Sequence, residues 1–248
     1  MKRATAIIYS LLLVLLFGGC EKSPLCDCLK SNGKEITETR NTEPFHYIEM
    51  RNKINLYIHH AAEYKIEVTA GKHLIDKVTT EVENGILKID NENKCNWVRD
   101  FDNRFDVHLY VPYIDTMEVF ESSGNIYFVD TLVVDKFSFQ SWSSTGDYFL
   151  KLITGTSYYA LQTGPASLTL AGKGSVTYMW NQGQGLYDAS AFNTDDIYCT
   201  NRSMNHIYLN SNIRLHSKIE FSGNIYYSGN PTDVQLEKYG SGEYIKLP

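Results

Sequence analysis

The chain has 248 residues, 43% of them hydrophobic and 13% aromatic, a length that is ordinary for one all-β domain with a substantial core. Its 23 basic and 29 acidic residues give a formal net charge of −6. Because Lys and Arg are not clustered densely enough to neutralise phosphates, this negative balance argues against nucleic acid as a partner.

The first nineteen residues have the pattern of a secretion signal. Lys2 and Arg3 precede an almost wholly apolar run over residues 4–17, which is followed by two glycines directly before Cys20. The run is shorter than the roughly 20 residues that a membrane-spanning helix needs, so a retained membrane helix is the weaker alternative. Residues 1–19 are therefore predicted to be removed as a signal peptide.

The segment from Leu16 to Cys20 resembles a lipobox, the site at which a bacterial lipoprotein is diacylated on cysteine and cleaved before it, although Phe17 departs from the usual leucine. Cleavage leaves 21 basic residues (23 − 2) against 29 acidic ones, a net charge of −8. Attachment to a membrane must then depend on the acyl chains. We expect Cys20 to carry lipid such as palmitate and to anchor the protein in the cell envelope, with the outer membrane and its periplasmic or cell-surface face left open.

The N-terminal part of the mature chain divides into two predicted segments. Residues 20–44 contain proline, glycine, many charges and little apolar periodicity, which is typical of a tether. Residues 45–119 contain short runs in which apolar and polar residues alternate, the pattern of half-buried strands. Asn84 and Gly85 are the dipeptide that favours a two-residue hairpin turn. These residues are therefore predicted to be a non-repetitive β portion.

The cysteines beyond residue 20 fit an oxidising compartment. Cys199 alternates with Ile197 and is expected to be a buried free thiol. Cys95 can form one disulfide, with Cys28 or with Cys26, and the sequence leaves the choice open. Three cysteines without a histidine cluster do not complete a zinc site, so no metal is predicted.

The second half of the chain, residues 120–248, repeats with a period of about 20 residues. A turn residue followed by an apolar-x-apolar triplet recurs at Gly124, Gly146, Gly164, Gly185, Asn205, Gly223 and Gly242. Such periods are typical of solenoids, whose coils are each too small to bury an apolar face alone. Asn readily adopts the left-handed conformation, so its presence at 205 predicts positive φ at these positions. The predicted fold is all-β, a β-helix-like solenoid with coils of about 20 residues preceded by a β-rich N-terminal portion.

Alternation within each triplet assigns its side chains to the two sides of the sheet. The residues two and four positions after each turn residue are mostly apolar and are predicted to point inward. The residue three positions after it is predicted to point outward, and this column comprises Tyr127, Phe149, Ser167, Asp188, Tyr208, Tyr226 and Ile245. Because neighbouring coils lie about 4.8 Å apart, Tyr127 should stack on Phe149 and Tyr208 on Tyr226. These four rings are the candidate binding residues, although tyrosine also fits a half-buried sheet without binding anything.

Several short motifs resemble a known family. The tripeptide Gly-Asn-Ile occurs at residues 124–126 and 223–225, and the segments 93–99 and 225–231 look like landmarks of its lipoprotein members. Together they resemble the head GIN domain of auto-transporter adhesins, over residues 45–247. The resemblance implies a β-helix-like stack and brings no catalytic residues with it. The name adhesin reflects the location and shape of the family's members.

One motif raises the alternative of an enzyme. Asn193 to Asp196 looks like part of the acidic motif of polygalacturonases, in which paired carboxylates protonate the leaving oxygen and activate water. Asp195 and Asp196 would be that pair, but nothing resembles the family's other motifs. We therefore predict no enzyme and no cofactor. The expected function is a lipid-anchored binding or adhesive module for a glycan, a protein or a second copy of itself, with a glycan hydrolase or lyase and a purely structural envelope protein as the alternatives.

Overall fold

A computed structural model describes residues 31–94 and 103–248. Several predictions fall outside these residues, namely the signal peptide of residues 1–19, the lipid-bearing Cys20, and the disulfide partners Cys26, Cys28 and Cys95. Cys199 is buried and free, as its alternation with Ile197 predicted.

The described residues form β-strands and one short 3-10 helix, Ile75–Lys77. The strands are β1 (Glu35–Arg40), β2 (Tyr47–Arg51), β3 (Asn55–His60), β4 (Lys65–Gly71), β5 (Val78–Glu83), β6 (Ile86–Asn91), β7 (Phe105–Val111), β8 (Thr116–Phe120), β9 (Ile126–Phe128), β10 (Leu132–Trp142), β11 (Asp147–Leu161), β12 (Ser167–Asn181), β13 (Tyr187–Asn201), β14 (Ile207–Ile219), β15 (Ile225–Ser228), β16 (Asp233–Lys238) and β17 (Tyr244–Lys246).

Apart from β1, β4 and β5, which pair antiparallel, the strands stack in two parallel columns, as the repeat predicted. They form a β-solenoid of about seven turns with coils about 20 residues apart. The first face runs β7, β3, β9, the N-terminal halves of β11 to β14, then β15 and β17. The second face runs β6, β2, β8, β10, the C-terminal halves of β11 to β14, then β16. Each long strand therefore contributes to both faces.

The core lies between the faces and is built from ladders of equivalent side chains. One ladder on the first face pairs buried residues of successive coils in register, namely Ile126, Tyr148, Leu168, Tyr187, Ile207 and Ile225. Burying a side chain of this size stabilises the fold by roughly 1.5 to 3 kcal/mol relative to leaving it exposed. Since each coil covers its neighbour's apolar edge, these residues are buried only in the stack.

One coil was aligned wrongly from the sequence. Tyr148 pairs with Leu168, so Ala166 occupies the place that glycine holds in the neighbouring coils. The outward residue of this coil is Thr169 and not Ser167, because Thr169 is the residue that pairs with Phe149. The error arose because the glycine at 164 belongs to the preceding turn, ahead of the repeat position.

The predicted reason for the repeated glycines is also wrong. Gly164 has a φ of 89°, but positive φ is not found at the repeat positions such as Gly146, Gly185 and Asn205. A Cβ on Gly185 would instead overlap the carbonyl oxygen of Ala166 on the preceding coil, and Gly146 approaches Gly124 in the same way. Glycine is required where coil backbones approach closely. The predicted hairpin turn is confirmed, since Asn84 and Gly85 have φ of 53° and 77° between antiparallel β5 and β6.

The N-terminal portion is more ordered than predicted. Glu35–Arg40, assigned to the tether, forms β1 and pairs antiparallel with β4. Its weak pattern, with only Ile36 apolar, hid a strand whose partner follows only after β2 and β3. The portion at residues 45–119 also belongs to the stack, because β2 and β3 pair in parallel with β8 and β9. Since several other strands separate these partners along the chain, the sequence holds no short period that would reveal them.

Candidate functional site

An outward stack of aromatic rings lies on the first face. Tyr127 and Phe149 have parallel rings with centroids 5.3 Å apart and planes within 3° of each other, so the predicted stacking is confirmed. Tyr57 stacks on the other side of Tyr127 at 5.2 Å, and His108 stacks on Tyr57 at 4.5 Å. We call these four residues the aromatic ladder. Phe149, at its end, is 40% exposed.

The second predicted pair stands apart from the ladder. Tyr208 and Tyr226 stack with centroids 4.8 Å apart and planes 12° apart, again as predicted. Thr169 and Asp188 occupy the two coils between this pair and Phe149. With a strand spacing of about 4.8 Å, the gap is roughly 14 Å. The structure therefore gives two aromatic surfaces on one face and does not join the four predicted residues into one.

The asparagine of the Gly-Asn-Ile motif orients both surfaces. Asn125 donates a hydrogen bond through Nδ2 to the Tyr127 hydroxyl at 3.2 Å, and its Oδ1 accepts one from the backbone N–H of Asp147 on the next coil at 2.9 Å. Asn224 does the same for the Tyr226 hydroxyl at 3.3 Å and the backbone N–H of Glu243 at 2.8 Å. Each motif thus joins two coils and fixes an outward tyrosine.

A histidine pair widens the ladder. Nε2 of His59 lies 3.0 Å from Nδ1 of His108, and the His59 ring stacks on Tyr110 with centroids 4.6 Å apart. The Nζ of Lys65 lies 3.9 Å above the Tyr110 ring. Burial, and then the neighbouring His59, lower the pKa of His108 below its ordinary value. The neutral form of the His108 ring is therefore favoured at this end of the ladder.

Tyr57 and His108 were not predicted from the sequence, and neither was a second aromatic column. Tyr57 lies on β3, six strands before the β9 of Tyr127, and only tertiary pairing brings the two together. The missed column lies on the second face and contains Tyr158, Tyr178 and Tyr198 in register. Their spacing repeats the coil period, so a search for outward aromatic residues at every position of the repeat would have found them.

The acidic pair has structural partners. Asp195 and Asp196 lie within β13, at an irregularity in its pairing with β14. Oδ2 of Asp196 lies 2.9 Å from Nη1 of Arg214, and Oδ1 of Asp195 accepts a hydrogen bond from Nδ2 of Asn212 at 3.1 Å. Both carboxylates are therefore engaged in joining β13 to β14.

The described residues were searched for a metal site and for a helix that could span a membrane. Within residues 31–94 and 103–248, no group of three or more His, Cys, Asp or Glu side chains could hold a metal ion. Nor does that part of the chain contain a helix with the length and apolar character needed to cross a membrane.

Solved structures share this fold. A crystal structure of a "putative adhesin" from Bacteroides fragilis superimposes with a TM-score of 0.79 at 17% identity, covering 86% of this chain and 97% of that one. A "putative lipid binding protein" from Parabacteroides distasonis gives 0.69 at 16% identity, covering 88% and 98%. A "putative adhesin" from Parabacteroides merdae gives 0.66 at 16% identity, with the same coverage. At these identities the likeness establishes the fold alone.

A comparison with curated proteins found no match. The family model described as "Putative auto-transporter adhesin, head GIN domain" matches residues 44–231, which is about three quarters of the chain and includes both copies of the Gly-Asn-Ile motif. The sequence motifs, the coil period and this match agree, and the chain belongs to the head GIN domain family of auto-transporter adhesins.

Proposed function

We propose that the protein is a non-enzymatic, lipid-anchored binding or adhesive module of the bacterial cell envelope. Its family and several proteins of the same fold are described as adhesins, which supports an adhesive role and a location in the envelope or at the surface. In this proposal the ligand, a glycan or a protein, contacts the aromatic ladder and the Tyr208–Tyr226 pair on the first face.

The geometry of the ladder is the observation that carries the proposal. Parallel rings in contact have planes about 3.5 Å apart, so a centroid distance of 5.3 Å between Tyr127 and Phe149 means an offset of roughly 4 Å. The rings are therefore stacked with an offset, and part of each ring face stays uncovered by its neighbour. Such partly open aromatic faces, held in place by Asn125, favour contact with apolar patches of a ligand at low cost in conformational entropy.

The two rival functions make different demands on the structure. A hydrolase needs one carboxyl group that donates a proton beside one that stays ionised, whereas Asp196 is paired with Arg214 and Asp195 with Asn212. We expect the double variant Asp195→Ala with Asp196→Ala to leave reducing-sugar release from polygalacturonate at background, as in wild type. A wild-type signal that disappears in the variant would establish the enzyme instead.

A purely structural role is tested by separating stability from binding. We expect Tyr208→Ala with Tyr226→Ala, and Tyr127→Ala with Phe149→Ala, each to lower the free energy of unfolding by about 1 kcal/mol, since exposed cross-strand pairs are each worth roughly 0.2 to 1 kcal/mol. Binding on a glycan array and to envelope proteins should fall at least tenfold in one or both double variants. Trp142→Ala, a ring 38% exposed on the second face, is the matched control. Unchanged binding in both double variants would leave the rings with a structural role.

The proposed anchor has its own test. Cys20 lies outside the described residues, so its lipidation is inferred from the lipobox-like segment alone. We expect Cys20→Ser to abolish labelling with a palmitate analogue and to leave the protein unprocessed or released, while the solenoid still folds. Label that persists on the variant would rule out this anchor.

A further inference from the structure

A cleft of about 320 Å³ lies on the second face, away from the aromatic ladder. One wall is the tyrosine column, defined as Tyr158, Tyr178, Tyr198 and His216, which pair in register on successive coils. Tyr178 and Tyr198 stack with centroids 5.1 Å apart and planes 14° apart, and Tyr178 is 42% exposed. This size is at the lower end of the roughly 300 to 1,000 Å³ that small-ligand sites occupy.

The opposite wall explains why a depression forms there. It is the outward column two residues further along the strands, where Trp180, Thr200, Lys218 and Glu237 pair in register. Thr200 is a short side chain between two long ones, so the wall dips at its coil. The guanidinium carbon of Arg202 lies 4.6 Å above the Trp180 ring and holds that ring in place.

A network of hydrogen-bonded charged groups contacts the tyrosine column and holds its side chains in place. Arg214 donates hydrogen bonds to the Tyr198 hydroxyl at 3.3 Å and to Asp233 at 2.7 Å, and its Nη1 also contacts Asp196 at 2.9 Å. Asp233 in turn lies 3.0 Å from Nε2 of His216. The rings are therefore held in one arrangement before any ligand arrives, which reduces the entropy lost on binding.

The charges in the cleft cancel. Lys218 and Glu237 both line it, and their side chains form an ion pair at 3.2 Å. His216, which also lines the cleft, is paired with Asp233. The other polar groups that a ligand meets are uncharged and include the tyrosine hydroxyls, Thr200 and Gln235, beside open ring faces. The ion pair presents no net charge that would attract an anionic ligand, whereas a sugar presents hydroxyls at its edge and C–H groups on its face. This surface is complementary to a neutral sugar.

The cleft continues along the solenoid. A second depression of about 360 Å³ on the same face shares Tyr158 with it and is lined by Thr116 and Ser138, which precede Tyr158 in the same register. From Thr116 to Gln235 there are six strand spacings, or roughly 29 Å. A trough of this length suits a chain-like ligand better than a single sugar.

We propose that this trough binds a linear, uncharged glycan without cleaving it. The second depression is also lined by Lys136 and by Asp115, which accepts hydrogen bonds from the Tyr113 and Thr116 hydroxyls. Glu237 is the one carboxylic acid among the described residues that line the cleft. Hydrogen bonds from Tyr239 and Lys218 lower its pKa, which is the opposite of what a proton donor needs. The site lies on a different face from the aromatic ladder, so it goes beyond the proposed function, and the variants that test the two do not overlap.

The test uses the full-length chain in a detergent that has no sugar headgroup. Titration calorimetry with cellotetraose, maltotetraose, xylotetraose and mannotetraose should find at least one neutral tetrasaccharide that binds with a sub-millimolar Kd. Tyr178→Ala should weaken that binding at least tenfold, and Thr200→Trp, which fills the dip, should abolish it. Trp142→Ala, the matched exposed ring on the same face, should stay within twofold of wild type, and thermal unfolding establishes that each variant is folded.

Three outcomes would overturn the inference. One is that none of the four neutral tetrasaccharides binds, and another is that Tyr178→Ala and Thr200→Trp both bind as wild type does. The third is that tetragalacturonate binds more tightly than every neutral probe. Loss of binding only in the ladder variants would support the proposed function and reject the trough, so the two proposals fail separately.

Discussion

Replacing Gly185 with alanine tests why glycine recurs in the coils. A Cβ at this position would lie 1.7 Å from the carbonyl oxygen of Ala166. Relieving this overlap requires the two coils to move apart by about 1.3 Å or more. Two backbone hydrogen bonds join the coils next to Gly185. The Leu168 N–H donates to the Leu186 carbonyl at 2.9 Å, and the Gln184 N–H donates to the Gly164 carbonyl at 2.7 Å. An opening of that size stretches both beyond hydrogen-bonding distance.

The expected cost combines two contributions. Two lost hydrogen bonds at roughly 0.5 to 1.5 kcal/mol each cost about 1 to 3 kcal/mol, and overpacking adds about 1 to 3 kcal/mol. Gly185→Ala should therefore lower the free energy of unfolding by about 2 to 6 kcal/mol, measured by urea denaturation with an unchanged m-value. Such a loss is a large fraction of the stability of an ordinary domain.

The next coil supplies a matched control. Asn205 lies two residues before Ile207, as Gly185 does before its partner Tyr187, and it already carries a Cβ. Asn205→Ala should therefore cost only the side-chain hydrogen bond to the Gln184 carbonyl, about 0.5 to 1.5 kcal/mol. A Gly185→Ala protein that loses less than about 0.5 kcal/mol, the lower bound for a single hydrogen bond, would refute the close approach of the backbones. A loss as small as that of the control would do so as well.

Buried groups and cysteines give three further predictions. The Tyr187 hydroxyl is buried with no hydrogen-bond partner among the described residues, so Tyr187→Phe should stabilise the protein by about 1 kcal/mol in urea denaturation. Tyr148→Phe, which loses a bonded hydroxyl, should destabilise it by a similar amount. Stability changes of the same sign in the two variants would contradict this reasoning. Burial raises the pKa of the Cys199 thiol from 9.0 to about 12, so the thiol of the unfolded chain loses its proton first as the pH rises. Stability should therefore fall between pH 9 and 12, by up to about 4 kcal/mol over these three pH units. A Cys199→Ala variant with an equally steep pH dependence of stability would exclude this cause. A disulfide from Cys95 to Cys28 or to Cys26 should be found by mass spectrometry of a non-reduced digest. Free thiols at all three positions in periplasmic material would disprove it.

The fold class followed from the sequence because a solenoid repeats its own local rules. Three features depend only on neighbouring coils: the coil period, the inward ladder through Ile126 and Tyr148, and the outward stacking of Tyr127 on Phe149. Counting residues along the chain was therefore enough to find them. The same count failed at the coil of Thr169, where a glycine belonging to the preceding turn displaced the alignment.

What only the tertiary structure decided concerns residues with no local or periodic relation. Tyr57 and His108 complete the aromatic ladder because β3 and β7 join the stack from distant parts of the chain, and β1 pairs with β4 across two intervening strands. The glycine requirement is likewise a distance between two coil backbones, although it looks in the sequence like a demand on φ. Sequence alternation determines which way a side chain points, and the pairing of distant strands determines what lies beside it.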